Sequence, residues 1–226
     1  NSFILYRPKD IVSGDFYWFT NLNSKIFWAV VDCTGHGVPG AMLSILGINL
    51  LQTLIVENKI QDTSEILNKL HLNILQRLRQ NELSPSADSM DIALCSYDLT
   101  HRILNFSGAN RSLYLIQNDC IQEIKGNSHA VGSSIIEEKH ENYTFTSHSI
   151  LLNPGDEIYI FSDGITDQFG GPLNKKFSKR RLLHFLKKHQ GKPQRDTKFL
   201  LEKEIQEWKG ENEQTDDILI IGVTIN

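Results

Sequence analysis

Between residues 26 and 41 an apolar run ends in an acid, breaks over glycine and restarts as a long apolar segment. The run is Ile26-Phe27-Trp28-Ala29-Val30-Val31, the acid is Asp32, and Cys33-Thr34-Gly35-His36-Gly37-Val38-Pro39-Gly40-Ala41 follows. Branched and aromatic side chains make the first part a strand. Gly35 and Gly37 allow a turn with positive φ or a close approach to a ligand, and Pro39 suits a first helical turn, where its missing N–H is no loss. A strand that delivers a carboxylate to a tight turn, with the free amides of a helix start beyond it, is one way a chain builds a metal or anion site. The same residues also fit the plain end of a strand before a helix. What separates the two readings is recurrence: Asp15, Asp163, and Asp216 with Asp217 also stand at the boundaries of apolar strands.

Phe3 to Tyr6 and Asp15 to Phe19 read as strands separated by the turn-forming Ser13-Gly14. Residues 25–32 pair with 15–22 as a hairpin through Asn21-Leu22-Asn23-Ser24, which brings Asp15 and Asp32 to one end of a sheet. From Val38 to about Glu57 apolar residues fall on nearly every face, the pattern of a helix buried all round. Asp62 with Glu65 caps a second helix that presents Ile66, Leu67, Leu70, Ile74, Leu75 and Leu78 on one face, so the two form a helical hairpin ending near Gln80. After a polar loop, 81–89, short strands at Ile92–Tyr97, Ile103–Phe106, Ser112–Ile116 and Ile121–Ile124 have the rhythm of an antiparallel meander. A further strand spans Tyr143 to Leu151. Then Glu157 to Ser162 runs into Asp163-Gly164, repeating the device at Asp32. Helices at Lys179–His189 and Thr197–Trp208, separated from that strand by a loop at Phe169–Phe177, precede Asp216-Asp217 and a last strand, Ile218 to Ile225. No internal repeat or linker divides the chain, so residues 1–226 make one domain.

Like charges gathered at one rim repel and raise one another's pKa, and divalent metal bound through oxygen relieves this. With abundant carboxylates and no His or Cys at zinc spacing, the ions expected are Mg²⁺ or Mn²⁺. Two such ions roughly 3.5–4 Å apart convert a water into a nucleophile suited to attack on phosphorus. Phosphoester hydrolysis is the chemistry that follows.

Five motifs occur in an order that resembles the PPM-type metal-dependent serine/threonine phosphatases, in their bacterial SpoIIE/RsbU branch. They are Ser13-Gly14-Asp15-Phe16-Tyr17, Val31 to Ala41, Phe106-Ser107-Gly108-Ala109-Asn110, Phe161-Ser162-Asp163-Gly164-Ile165-Thr166-Asp167 and Gln214-Thr215-Asp216-Asp217-Ile218. The resemblance implies an α+β fold, an α-β-β-α sandwich of two antiparallel sheets flanked by helices, with a site for two Mn²⁺ or Mg²⁺ ions on one rim. It implies that Asp32 bridges both ions, that the backbone carbonyl of Cys33 binds the second, that Asp163 and Asp216 bind the first, and that Asp15 acts through water. Asp217 is a ligand, an outer acceptor or a strand cap. His36 is either a proton donor to the leaving alkoxide or a local cap. The relatives' phosphate-binding arginine has no counterpart at matching spacing, since Arg7 only flanks a strand, so phosphate falls to the metals and to helix-start amides.

The resemblance also implies a phosphoserine or phosphothreonine protein as substrate, an anti-sigma-factor antagonist with a STAS fold, in a partner-switching pathway. The alternative is a catalytically inactive relative that binds a partner or ligand. The sequence opens on Asn1 and enters a strand at once, which predicts the C-terminal effector part of a longer protein with an upstream sensor domain. That sensor, or a homodimer mate, is expected to cover the first helix. With 23 basic and 27 acidic residues, a net charge of −4 makes no electrostatic case for nucleic acid or membrane. The longest apolar stretch, Ile45 to Val56, is too short to span a bilayer. Cys33, Cys95 and Cys120 are odd in number and lack metal spacing, which fits a reducing cytoplasm and passive thiols. Lys175-Lys176 with Arg180-Arg181 either steer an acidic substrate or are simply solvated.

Overall fold

The computed structural model describes residues 1–35, 37–78, 88–133 and 144–226. His36, Gln80, Tyr143 and most of the 81–89 loop lie outside the described residues. In chain order the elements are β1 (Ser2–Arg7), β2 (Asp15–Leu22), β3 (Lys25–Cys33), α1 (Gly37–Leu51, continued by a π-helical turn Gln52–Glu57), α2 (Thr63–Arg77), β4 (Met90–Asp98), β5 (Ile103–Ala109), β6 (Leu113–Gln117) and β7 (Cys120–Ile124). They continue with β8 (His148–Leu151), β9 (Glu157–Phe161), the single turn α3 (Gly164–Asp167), β10 (Phe169–Gly170), β11 (Lys175–Lys176), α4 (Lys179–Lys188), α5 (Gln194–Lys209) and β12 (Ile218–Thr224). Two five-stranded antiparallel sheets result, ordered β1-β12-β9-β6-β7 and β2-β3-β4-β5-β8.

Three apolar layers hold four layers of structure together. Phe27, Ala29 and Val31 of β3 pack with Leu51, Ile55, Ile66 and Leu70 of the α1–α2 side. The alternate residues Trp28 and Val30 face the other way, against Ile158 and Ile160 of β9 and Leu219 of β12. On the far side, Tyr159, Phe161 and Ile220 pack with Leu182, Leu186 and Leu201 of α4 and α5. The central strands are apolar on both faces because each face meets a different layer. This is the expected α-β-β-α sandwich.

Three expectations are corrected. The four strands read as a meander divide between the sheets: β4–β5 belong to one and β6–β7 to the other, so the chain crosses the sandwich at Asn110–Ser112. The alternation pattern of short strands cannot show such a crossing. Next, α1 is not buried all round. Gly40, Leu43, Ser44, Gly47 and Leu50 seat on the sheet, while Val38, Met42 and Ile45 are each more than 60% exposed; α2 covers only part of the remaining surface. The whole helix, Gly37–Glu57, has 21 residues and by length and composition alone matches a membrane span, longer than the apolar stretch suggests, but its packed face makes it a core helix of the sandwich. Finally, the loop 169–177 contains the small β10–β11 hairpin. The capping pair is half kept. Asp62 Oδ1 accepts from the Glu65 amide at 2.8 Å, whereas the Glu65 carboxylate pairs with Lys69.

Candidate metal centre and active site

The β2–β3 hairpin has the predicted register, and it sets Asp15 directly opposite Asp32. On the other side of β3, Asp32 lies opposite Asp91 of β4. Residues directly opposite in a sheet share a face. Because Phe16, Val31 and Ile92 all point into the helix-covered layer, the three aspartates point the other way, into the space between the sheets. They form a row across three adjacent strands at one rim. From the second sheet come Asp163, just past β9, and Asp216, just before β12. All five line one cleft of about 270 Å³ together with Cys33, Gly35, Asp217 and Arg111. Asp91 is not among the acids the sequence singles out, although it carries the same signal: an acid at a strand start, in phase with Ala93 and Cys95.

The turn after Asp32 is pressed into place by missing side chains. A Cβ on Gly40 would come within 2.3 Å of the Gly35 carbonyl, and one on Gly14 would lie 2.6 Å from the same oxygen and 3.2 Å from that of Cys33. Gly35 and Gly37 both have positive φ. The Ser44 hydroxyl from α1 donates to the Gly14 carbonyl at 2.7 Å. The first helix, the 13–14 turn and the Cys33–Gly35 turn therefore form one packed unit.

Asp217 is a brace. Its carboxylate accepts from the amides of Lys9 (2.8 Å) and Gly14 (2.9 Å), and more distantly from Asp15 (3.4 Å). Both oxygens are engaged by backbone. Asp216 accepts from the Asp217 amide at 2.8 Å.

Arg111 is the site residue that the sequence does not disclose. It follows the Gly108-Ala109-Asn110 motif at the crossing between sheets. Its Nη2 lies 2.6 Å from Asp32 Oδ2, 2.9 Å from Asp163 Oδ2 and 3.2 Å from Asp91 Oδ2. Asn110 fixes Asp91 further, donating from Nδ2 at 2.8 Å with its own backbone at φ 55. Gly108 is needed because a Cβ there would meet the Arg111 carbonyl at 2.2 Å. Arg7, by contrast, ends β1 opposite Ile218 and does not line the cleft. No spacing rule points to Arg111; only the crossing carries it to the rim.

The electrostatics are those of crowded acids. Burial, and then Asp32, push Asp15 up to about 9 against a lowering contribution from the Ser162 hydroxyl. Asp32 is pushed up to about 7 by burial, which the Arg111 guanidinium opposes and Asp163 and Asp91 reinforce. Burial likewise raises Asp91 and Asp216. Oδ2 of Asp15 is buried without a hydrogen-bond partner, as is Nε of Arg111. An orphaned, buried carboxylate oxygen among other carboxylates is a donor set for a hard divalent cation. Among the described residues no three acids close into a finished coordination shell; the guanidinium of Arg111 is bonded among them. The residue types and the orphaned oxygen fit Mg²⁺ or Mn²⁺. The Cys33 thiol is pushed up to about 12 by burial, so it is passive, as expected.

The sequence profile of the family described as Stage II sporulation protein E (SpoIIE) matches residues 23–226. The chain belongs to the SpoIIE family. It is thus a domain of the PP2C-type serine/threonine phosphatase class. Among solved structures, this SpoIIE-family chain is similar to the SiaA-PP2C domain of Pseudomonas aeruginosa, at 31% identity and TM-score 0.88, covering 100% of this chain and 86% of that one. It also resembles the structure of the PP2C phosphatase domain and a fragment of the regulatory domain of SpoIIE from Bacillus subtilis, at 19% identity and TM-score 0.77, over 99% of this chain and 62% of that one. This chain therefore spans about three fifths of that Bacillus structure. RsbX in complex with magnesium shares the fold at 13% identity and TM-score 0.68, over 100% and 94% of the two chains. A comparison with curated proteins returns no match.

Proposed function

We propose that this SpoIIE-family domain is an active, metal-dependent protein phosphatase that hydrolyses phosphoserine or phosphothreonine on a partner protein. The observation that carries the proposal is the row Asp15–Asp32–Asp91 on the inner face of one sheet, set against Asp163 and Asp216 of the other, with Asp15 Oδ2 buried and unpartnered. Two Mn²⁺ or Mg²⁺ ions, when bound, supply an activated water for attack on phosphorus. The chain's own residues do the rest. Asp32, centred in the row, would hold the ions together with Asp163 and Asp216 from the second sheet. The Cys33 carbonyl is a further donor. Asp91 joins the set, Asp15 acts at its buried end, and Asp217 holds the 13–15 backbone in register. Arg111 joins the metals and the helix-start amides in holding the phosphoryl group, since a planar guanidinium fork matches phosphate oxygens. No role is given to His36.

The substrate class is a phosphoprotein such as a STAS-domain anti-sigma-factor antagonist, acted on in the cytoplasm by a domain joined to an upstream sensor. Purified protein should release phosphate from phosphoserine protein or an aryl phosphate with Mn²⁺, and chelator should abolish it. Mn²⁺ should also raise the melting temperature of the wild type but not of Asp32→Asn. Chelator-insensitive turnover, or an Asp163→Asn variant with near-native turnover, sinks the assignment. A protein that binds Mn²⁺ but turns over nothing is the non-catalytic alternative.

A further inference from the structure

Arg111 and Asp163 line not one cleft but two. The second, about 200 Å³, opens beside the carboxylate cleft and is walled by Ser112, Tyr114, Glu123, Thr166 and Lys179. Its outer lip is the start of α4. Lys179 Nζ sits 3.1 Å from Glu123 Oε1 and 5.9 Å from the centre of the Tyr114 ring, which keeps the ammonium at the mouth of the cleft. From Gln168 to Arg195 the chain carries nine lysines and arginines and not one acid, in a protein whose net charge is −4. Some of these charges are already used: Lys176 pairs with Asp167, and Arg181 lies on the Trp208 ring and near Glu204. Lys175 and Arg180 are exposed, and among the described residues neither has an acid within 4 Å.

We infer that this second cleft and its basic lip receive the polypeptide next to the phosphorylated residue, and that they select an acidic segment there. The inference rests on the phosphatase reading for its register, because the shared Arg111 puts the phosphoryl group at the threshold between the clefts. A segment leaving that threshold over Thr166 meets Lys179 first, with the exposed Arg180 next in the chain. Lys179 is half exposed, so an incoming carboxylate can share it with Glu123; a lysine or arginine at the same place would face Lys179 and Arg111 at once. Like charges at a contact are a strong means of rejection. A polypeptide fits better than nucleic acid because the lip is short and the carboxylate cleft beside it repels a continuous polyanion.

The test compares fluorescently labelled phosphoserine peptides that differ only in acidic or basic flanks. It reads binding by anisotropy in chelator and in Mn²⁺, and aryl phosphate turnover alongside. The wild type should bind the acidic-flanked peptide at least about tenfold more tightly, with the difference shrinking as salt rises. Lys179→Ala with Arg180→Glu should bring the two peptides to within about twofold while leaving aryl phosphate turnover unchanged. Equal binding of both peptides by the wild type, or a preference untouched by the double variant, overturns the inference even where aryl phosphate turnover proves the active site. Equally tight binding of an unphosphorylated RNA-length polyanion such as heparin, competing with either peptide, also overturns it in favour of an unspecific basic surface. A flank preference without any turnover supports the recognition cleft and refutes the phosphatase reading alone.

Discussion

Replacing Arg111 by methionine should destabilise the metal-free protein and leave the metal-loaded protein much less affected. The guanidinium side chain is 13% exposed and its Nη2 contacts three carboxylates, whose side chains are 23% (Asp32), 26% (Asp91) and 46% (Asp163) exposed. Removing one partner from a buried pair costs about 3–5 kcal/mol. The Asp163 contact, nearly half exposed, adds little of this because solvent screens it. The abandoned acids can also take up protons, and Asp32, already raised to about 7, does so at about 1.4 kcal/mol per unit of further rise. At pH 8 in chelator the net loss should be about 2–4 kcal/mol, or roughly 5–15 °C in melting temperature for a domain of this size. With the guanidinium gone the unpaired carboxylates should bind Mn²⁺ more tightly than those of the wild type, and at one fixed saturating Mn²⁺ concentration a hundredfold lower Kd returns about 2.7 kcal/mol more to the variant, which closes most of the gap. Differential scanning calorimetry of the two proteins, with chelator and with Mn²⁺, reads all four numbers. Equal melting temperatures in chelator would refute the claim that Arg111 is the counter-charge of the row.

Three further outcomes follow from the geometry. The folded-state pKa of Asp15 and of Asp32 is raised, so the native protein holds more protons than the unfolded chain, and the stability they contribute is lost as pH rises through about 7 and about 9. Melting temperature in chelator should fall from pH 6.5 to 9, a window that lies above the opposing titration of His71, whose pKa burial lowers to about 4; a flat or rising profile contradicts this. Iodoacetamide at pH 8 on the folded protein should add one label, at exposed Cys120, because Cys33 and Cys95 are buried with raised pKa; intact mass shows whether a second label arrives. Gly40→Ala drives a methyl against the Gly35 carbonyl and should cost about 1–3 kcal/mol in denaturant unfolding, together with a weaker Mn²⁺ response, whereas Gly191→Ala, with open space around it, should leave the Mn²⁺ response alone.

The most legible part of the site is the part built from local pairing. A two-stranded hairpin has few registers, and the length of its short turn at Asn23-Ser24 selects among them, so the meeting of Asp15 and Asp32 follows from the residues alone. Asp163 and Asp216 are legible for a similar reason, each bounding a strand apolar on nearly every residue. Asp91 bears the same mark, directly before apolar Ile92, but falls in none of the five motifs that carry the resemblance. Arg111 is invisible in kind: its place depends on β5 and β6 belonging to different sheets, and strand pattern does not encode sheet membership. The exposure of Val38, Met42 and Ile45 has the same cause. An apolar face announces that something covers it, but composition does not say whether the cover is the chain's own.

The row of acids also bears on how the sheet finds its pairing. Were β3 to slip by one residue against β2, every side chain on it would change faces. Val31 would then stand at the rim, and Asp32 would be driven into the layer occupied by Phe16, Leu51 and Met90, where an unpaired carboxylate costs several kcal/mol. Ile and Val alone would discriminate poorly between the two registers, since β3 is apolar on both faces. Asp15, Asp32 and Asp91 thus act as proofreading marks during assembly: the hairpin that can bury its strands without burying a charge is the same hairpin that lines up the site.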